Sequence, residues 1–258
     1  MAWFDSLWTA LLSLGTLALL LGPLERCFPA RRGQRLLRPA WHTDLWFFTG
    51  QFMLFNGLVL LGLRAVHGLI AGWSPTIEGT VAAWPLWQQA LVAFLAGDLC
   101  VYWVHRAQHR FEWLWRFHGV HHTAEHLDWL AAFREHPVDG LITRLAINLP
   151  GIALGVDFGA LAGLILFRGL WATFIHSNVR LNLGPLTYVL GAPALHHWHH
   201  ARDRHVGNYG NLNPLMDLAF GTFRLPPEEP EAFGLDAPWP RSYLGLLLHP
   251  LLPRRRRR

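Results

Sequence analysis

Thirteen of the sixteen histidines in this 258-residue chain fall between residues 105 and 205. Neutral imidazole is the commonest metal ligand in proteins, so histidine clustering on this scale points to a metal site. The spacing sharpens the reading. On a helix, His105 and His109 share a face. His118, His121 and His122 stand at i, i+3 and i+4, and His196, His199 and His200 repeat that pattern. Three such segments supply more donors than the four that a tetrahedral zinc ion takes, enough for two ions. Asp98 lies seven residues before His105, near the same helical stripe. It is placed to orient a ligating imidazole through its ring N–H.

The remaining histidines read differently. His197 lies off the i, i+3, i+4 face and is expected to be structural. His126 and His205 read as solvated surface, and His42, His67 and His249 as interfacial. Soluble di-iron proteins draw on paired Glu-x-x-His units in four-helix bundles. Glu112, Glu125 and Glu135 are present here but not in such pairs, so the site is dominated by neutral ligands.

Three ordered motifs, HRAQH (105–109), HGVHH (118–122) and HHWHH (196–200), resemble the histidine boxes of the membrane-bound fatty acid hydroxylase and sterol desaturase superfamily. The flanking text YWVHR, WLWRFHGVHH, EHPVDG, IHSN, NYGN and MDLAFGTF is similar too, over roughly residues 86–225. Met216 departs from the pattern, standing where many relatives carry Trp. The resemblance implies two iron ions in a non-haem di-iron centre, which zinc could replace in purified protein. It implies His105, His109, His118, His121, His122, His196, His199 and His200 as ligands. His176 stands at the family's isolated-histidine position as a ninth. His136, in EHPVDG, matches a recurring family histidine and is open to capping, support of a ligand, or ligation. Asn178, Asn208, Tyr209 and Asp217 lie in matching text and either hydrogen-bond ligand imidazoles or make turns.

The implied activity is hydroxylation or desaturation of a lipid C–H bond with O2 as co-substrate. Fatty acyl, sterol-like, ether-lipid and carotenoid substrates all fit. With no GxGxxG and no cytochrome domain, electrons are expected from a separate reductase or carrier. Two other functions compete. A zinc-dependent membrane hydrolase would activate water, but its zinc usually keeps three protein ligands, and no HExxH is present. A non-enzymatic metal carrier or b-haem protein would need, for the haem, histidines facing each other across spans.

Positioning such a site calls for a membrane scaffold. Hydrophobic residues make up 52% of the chain and charged residues 15%, low for a soluble domain. Fourteen tryptophans suit two bilayer interfaces. The net charge of +5 is carried entirely by arginine, in short runs beside apolar segments. This favours a membrane surface over nucleic acid. Cys27 and Cys100 suggest no disulfide framework.

The expected fold is all-α: a polytopic membrane helical bundle of four to five spans with a cytoplasmic histidine-rich cap. Leu7–Leu24 reads as a retained first span. Residues 43–63 form the second, and Trp87–Val104 the third. Residues 141–176 form a helical hairpin split at Pro150-Gly151 and at Gly155–Gly159. Arg26, Arg31, Arg32, Arg35 and Arg38 mark the first loop as cytoplasmic. The hairpin returns His176 to the same side, where Arg168 needs an acidic partner or an interface. Tyr243–Leu252 is too short to span and is expected at the interface, and the Arg254–Arg258 tail is expected near anionic headgroups. Three regions follow: N-terminal membrane helices (1–85), a hydroxylase-like catalytic domain (86–225), and a surface strap with a basic tail (226–258).

Overall fold

A backbone that crosses hydrocarbon must satisfy its own hydrogen bonds, which a helix does within one segment. The computed structural model, which describes residues 2–181, 183–203 and 207–252, is accordingly helical. Among those residues the only β pairing is two isolated bridges. His205 and Arg254–Arg258, for which surface positions are expected, lie outside the described residues. Among the described residues, four helical stretches are long and apolar enough to cross a membrane: Asp5–Cys27, Trp41–Ile70, Leu86–Arg110 and Phe158–His176. The protein is thus a multi-pass membrane protein.

Helix α1 (Ala2–Cys27) gives the first span. The second is longer than residues 43–63. It runs as α2 (Trp41–Gly50), one π-helical turn (Gln51–Phe55) and α3 (Asn56–Ile70). A short α4 (Pro75–Ala82) follows in what reads from sequence as a plain loop. Helix α5 (Leu86–Arg110) is the third span and continues without a break through His105 and His109. Beyond it come α6 (Glu112–His118) and the hairpin of α7 (Pro137–Ala153) and α8 (Phe158–His176). The hairpin turns only once. Pro150 lies inside α7, as membrane helices allow when neighbours cover the freed carbonyl. The turn sits at Leu154–Asp157, where the Asp157 carboxylate caps α8 by accepting from Gly159 N at 2.8 Å. Helices α9 (Pro193–His199), α10 (Leu215–Ala219) and α11 (Tyr243–Leu248) complete the chain.

Helix α5 is the organising element, packed against α6, α7 and α8. Gly97 permits the close approach to α7: a Cβ there would lie 2.5 Å from Ile147 O. At the next residue, Arg168 of α8 pairs with Asp98, and the Asn213 amide donates to the other Asp98 oxygen. This corrects the expectation for Asp98. A guanidinium buried between spans needs a counter-ion more than an imidazole needs a second acceptor, and both carboxylate oxygens are taken.

The cap is held by charge and by apolar packing. Arg38 from the first loop bonds Asp44 (2.6 Å) and Asp128 (2.6 and 2.7 Å), and Arg134 bonds Asp44 (2.5 Å). All four side chains are buried. Leu246 of α11 is fully buried with Phe47 and Val120, so the C-terminal apolar stretch is a clamp over the cap as well as a surface segment.

Candidate metal centre

Each histidine motif arrives from a different element. The last turns of α5 present His105 and His109. The end of α6 and the 3-10 turn His121–Thr123 present His118, His121 and His122. Helix α8 ends on His176, and α9 with its C-cap presents His196, His199 and His200. The nine histidines singled out in the sequence sort into two groups. His105, His109, His118, His122 and His199 form one, and His121, His176, His196 and His200 the other. Within each group the donor nitrogens lie no more than 4.8 Å apart. The groups adjoin: the His122 and His200 rings stack at 4.4 Å between centroids.

The HxxHH motif therefore serves two sites. Adjacent residues on a helix point about 100° apart, so the two members of an HH doublet diverge. His118 and His122 go one way and His121 the other. His196 and His200 go one way and His199 the other. Spacing alone had put all three members of each motif on one face.

The donor chemistry fits a cation in each group. His121 Nδ1 faces Arg134 O at 3.0 Å and His176 Nδ1 faces Ala172 O at 2.6 Å. A carbonyl only accepts, so both Nδ1 atoms carry the proton and both Nε2 atoms carry lone pairs. Those two Nε2 atoms stand 3.0 Å apart. Two lone pairs at that distance repel unless a positive charge lies between them. In the other group, His118 Nε2 has three Nε2 neighbours, His105, His109 and His122, each at 3.1 Å. One imidazole nitrogen cannot make three such hydrogen bonds. His199 Nε2 is buried with no hydrogen-bond partner.

Burial favours the neutral, ligating form. It pushes the imidazoles of His122, His196, His199 and His200 well below their ordinary pKa, helped by neighbouring imidazoles, and lowers that of His121. Desolvation penalises the charged ring.

The outer nitrogens show what holds the rings. His105 Nδ1 meets Tyr209 O at 2.9 Å, His199 Nδ1 meets Gly207 O at 2.8 Å, and His118 Nδ1 meets the Asp139 carboxylate at 3.0 Å. Asp139 takes a second bond from Gln108 Nε2 at 2.7 Å. Sequence reading missed Asp139, although it lies within EHPVDG. Its signal is the position at the first turn of α7, which only the tertiary fold brings under α6.

Asp217 acts one step further out. It accepts from Tyr209 N, Gly210 N and Thr222 Oγ1 and so fixes the loop whose carbonyl meets His105. Asn208, in a left-handed conformation (φ 55°), bonds Leu195 O and Arg224 and ties that loop to α9. Asn178 bonds the Arg31 backbone on both sides. Neither amide is bonded to an imidazole: Asn208 takes up a turn conformation, and Asn178 ties the end of α8 to the first loop. His136 caps α7, accepting from Val138 N, while its Nε2 faces Leu247 O at 3.1 Å. It stands outside both groups. His197 bonds Glu229 and Ser177 O, in keeping with a structural role.

The same stretch of chain matches a known sequence family. The profile described as "Fatty acid hydroxylase" covers residues 90–222, which contains all nine clustered histidines. The chain belongs to the fatty acid hydroxylase family. Among curated proteins, it is similar to an ornithine lipid hydroxylase of Rhizobium tropici, 28% identical over 170 residues, covering 65% of this chain and 51% of that protein. Human alkylglycerol monooxygenase is 33% identical over 148 residues (57% of this chain, 33% of that protein). A Delta(7)-sterol-C5(6)-desaturase of Nicotiana tabacum is 32% identical over 144 residues (54% and 51%). The matched region thus spans a third to a half of the length of these relatives. No solved structure matches.

Proposed function

We propose that this family member is a membrane di-iron oxygenase that hydroxylates or desaturates a C–H bond of a lipid, using O2 and electrons from a separate reductase or carrier. The observation that carries the reading is the apposition of lone-pair nitrogens in two adjoining groups, of five and four histidines. Five donors in one group exceed the four that a tetrahedral zinc site takes. This disfavours a zinc hydrolase. The named activities of the relatives, all on lipids, support the substrate class.

The iron pair, when bound, supplies oxygen activation and hydrogen removal from an unactivated C–H bond. The chain's own residues hold, orient and exclude. His105, His109, His118, His122 and His199 would hold one ion, and His121, His176, His196 and His200 the other. Tyr209 O, Gly207 O, Arg134 O, Ala172 O and the Asp139 carboxylate fix the ring tautomers so that Nε2 keeps its lone pair. Trp115, whose ring stands 5.1 Å from His109 and 5.3 Å from His122, is buried against the donors together with Tyr209 and helps exclude bulk water. The donor groups lie at the ends of α5 and α8, where a lipid tail between the spans would meet them. Arg26 at the end of α1 and Arg31, Arg32, Arg35 and Arg38 in the α1–α2 loop support a cytoplasmic position for that end by the positive-inside rule.

The test is lipid analysis of a strain expressing the wild-type chain or His121→Ala. A lipid that gains one oxygen atom or loses two hydrogens only with wild type, and only in air, is the expected result. A lipid hydrolysed equally well without oxygen or reductant would replace this reading with the zinc hydrolase.

A further inference from the structure

The loop between α1 and α2 closes over a cleft of about 550 Å3 whose lining includes Gln34, Arg35, Arg38, Trp41, His42 and His126. It lies at the histidine end of the bundle: Gln34 Nε2 donates to Leu127 O, and Arg31 N donates to Asn178, two residues beyond His176. None of these six residues belongs to the two histidine groups.

Its chemistry is that of an anion site. Arg38, at the base, is neutralised by Asp44 and Asp128. Arg35 is exposed and has no ion-pair partner among the described residues. His42 and His126 add ring donors. Ala40, at the cap position of α2, lines the same space and brings the positive end of that helix to the cleft. A cation and ring N–H donors together complement a phosphate group. The cleft's flank is apolar: Leu37, in the lining, and its neighbour Leu36 are exposed, as expected at a lipid–water boundary.

We propose that this cleft binds the phosphate group of a phosphate ester. A lipid headgroup and a soluble phosphate ester share that chemistry, and the flank favours the lipid.

The experiment is isothermal titration calorimetry on the full chain in detergent, each variant first shown to keep wild-type helicity. The probes are dihexanoyl phosphatidic acid, dihexanoylglycerol, glycerol 3-phosphate and inorganic phosphate. Phosphatidic acid is expected to bind saturably, and dihexanoylglycerol at least about tenfold more weakly, since it lacks the charge-assisted bonds. Arg35→Gln and His42→Gln should each weaken phosphatidic acid about tenfold. Arg32→Gln, in the same loop but outside the cleft lining, should change it less than about twofold, because an exposed charge without a built partner contributes little. Glycerol 3-phosphate or inorganic phosphate binding as tightly as the lipid would support the site and assign it to soluble phosphate; weak binding of both assigns it to the headgroup. Equal losses in Arg32→Gln and Arg35→Gln, or equal affinity for dihexanoylglycerol, would overturn the proposal in favour of diffuse surface attraction.

Discussion

The two histidine groups are built from the same motifs but braced differently. In the five-histidine group, His105, His118 and His199 are each held at the outer nitrogen by a partner outside their own helix: Tyr209 O, the Asp139 carboxylate and Gly207 O. In the four-histidine group, His121 leans on Arg134 O and His176 only on its own helix, at Ala172 O. His196 Nδ1 and His200 Nδ1 have no hydrogen-bond partner. A ring fixed at both ends is a preorganised and more basic ligand. The difference teaches that the two ions should not be held equally: the five-histidine group is expected to bind more tightly and the four-histidine group to empty first.

The largest effect is expected from removing a hub. His118 Nε2 touches three other donors, so His118→Ala should empty the five-histidine group and reduce bound metal from about two to about one per chain. His200→Ala should remove the other ion alone. Metal analysis and lipid oxidation, both measured on the two variants, check the pair; lipid oxidation should fall to background in each. Loss of both ions in both variants would mean a single shared site and would erase the comparison.

Asp139→Asn comes next. It preserves shape but removes the carboxylate facing His118. Metal affinity of the five-histidine group should fall 10- to 100-fold, with the other group unchanged in a competition titration.

Acid should separate the groups more gently. The imidazoles of His121, His122, His196, His199 and His200 have folded-state pKa values below the ordinary ~6.5, so the unfolded chain binds protons first as pH falls. Stability of the metal-free protein is therefore complete above about pH 6.5. It declines below that, by up to ~1.4 kcal/mol per pH unit for each such group. Acid titration of the metal-loaded protein should release the ion of the four-histidine group first, because fewer of its rings are braced at the outer nitrogen. Release of the five-histidine ion first would contradict the ranking.

The smallest and least selective effect is structural. Gly97→Val puts side-chain atoms against Ile147 O between α5 and α7. A cost of about 1–3 kcal/mol is expected as a lower thermal midpoint, with both ions bound in the usual ratio.

The histidine groups were legible in the sequence because metal ligation needs a particular residue type at helical spacing. The same holds for the membrane hairpin, which needs apolar length and a turn. Division of each HxxHH between two sites was also implicit in the 100° step between neighbours, yet spacing at i, i+3 and i+4 reads most simply as one face. What escaped depends on tertiary choice. Arg168 announced a need for an acid, but a sequence cannot say that Asp98 answers it while Asp139 takes the imidazole. Asn178, Asn208 and His136 sit in family-like text close to the histidines, but their hydrogen bonds go to backbone groups. Proximity along the chain said nothing of direction.

The central claim is that nine histidines hold two ions. Elemental analysis of the full chain, purified in detergent and reconstituted with ferrous iron without oxygen, tests it most directly. The expected result is about two irons per chain, falling to about one in His118→Ala and in His200→Ala. Iron absent from the wild-type chain after reconstitution, or retained in full by both variants, would contradict it.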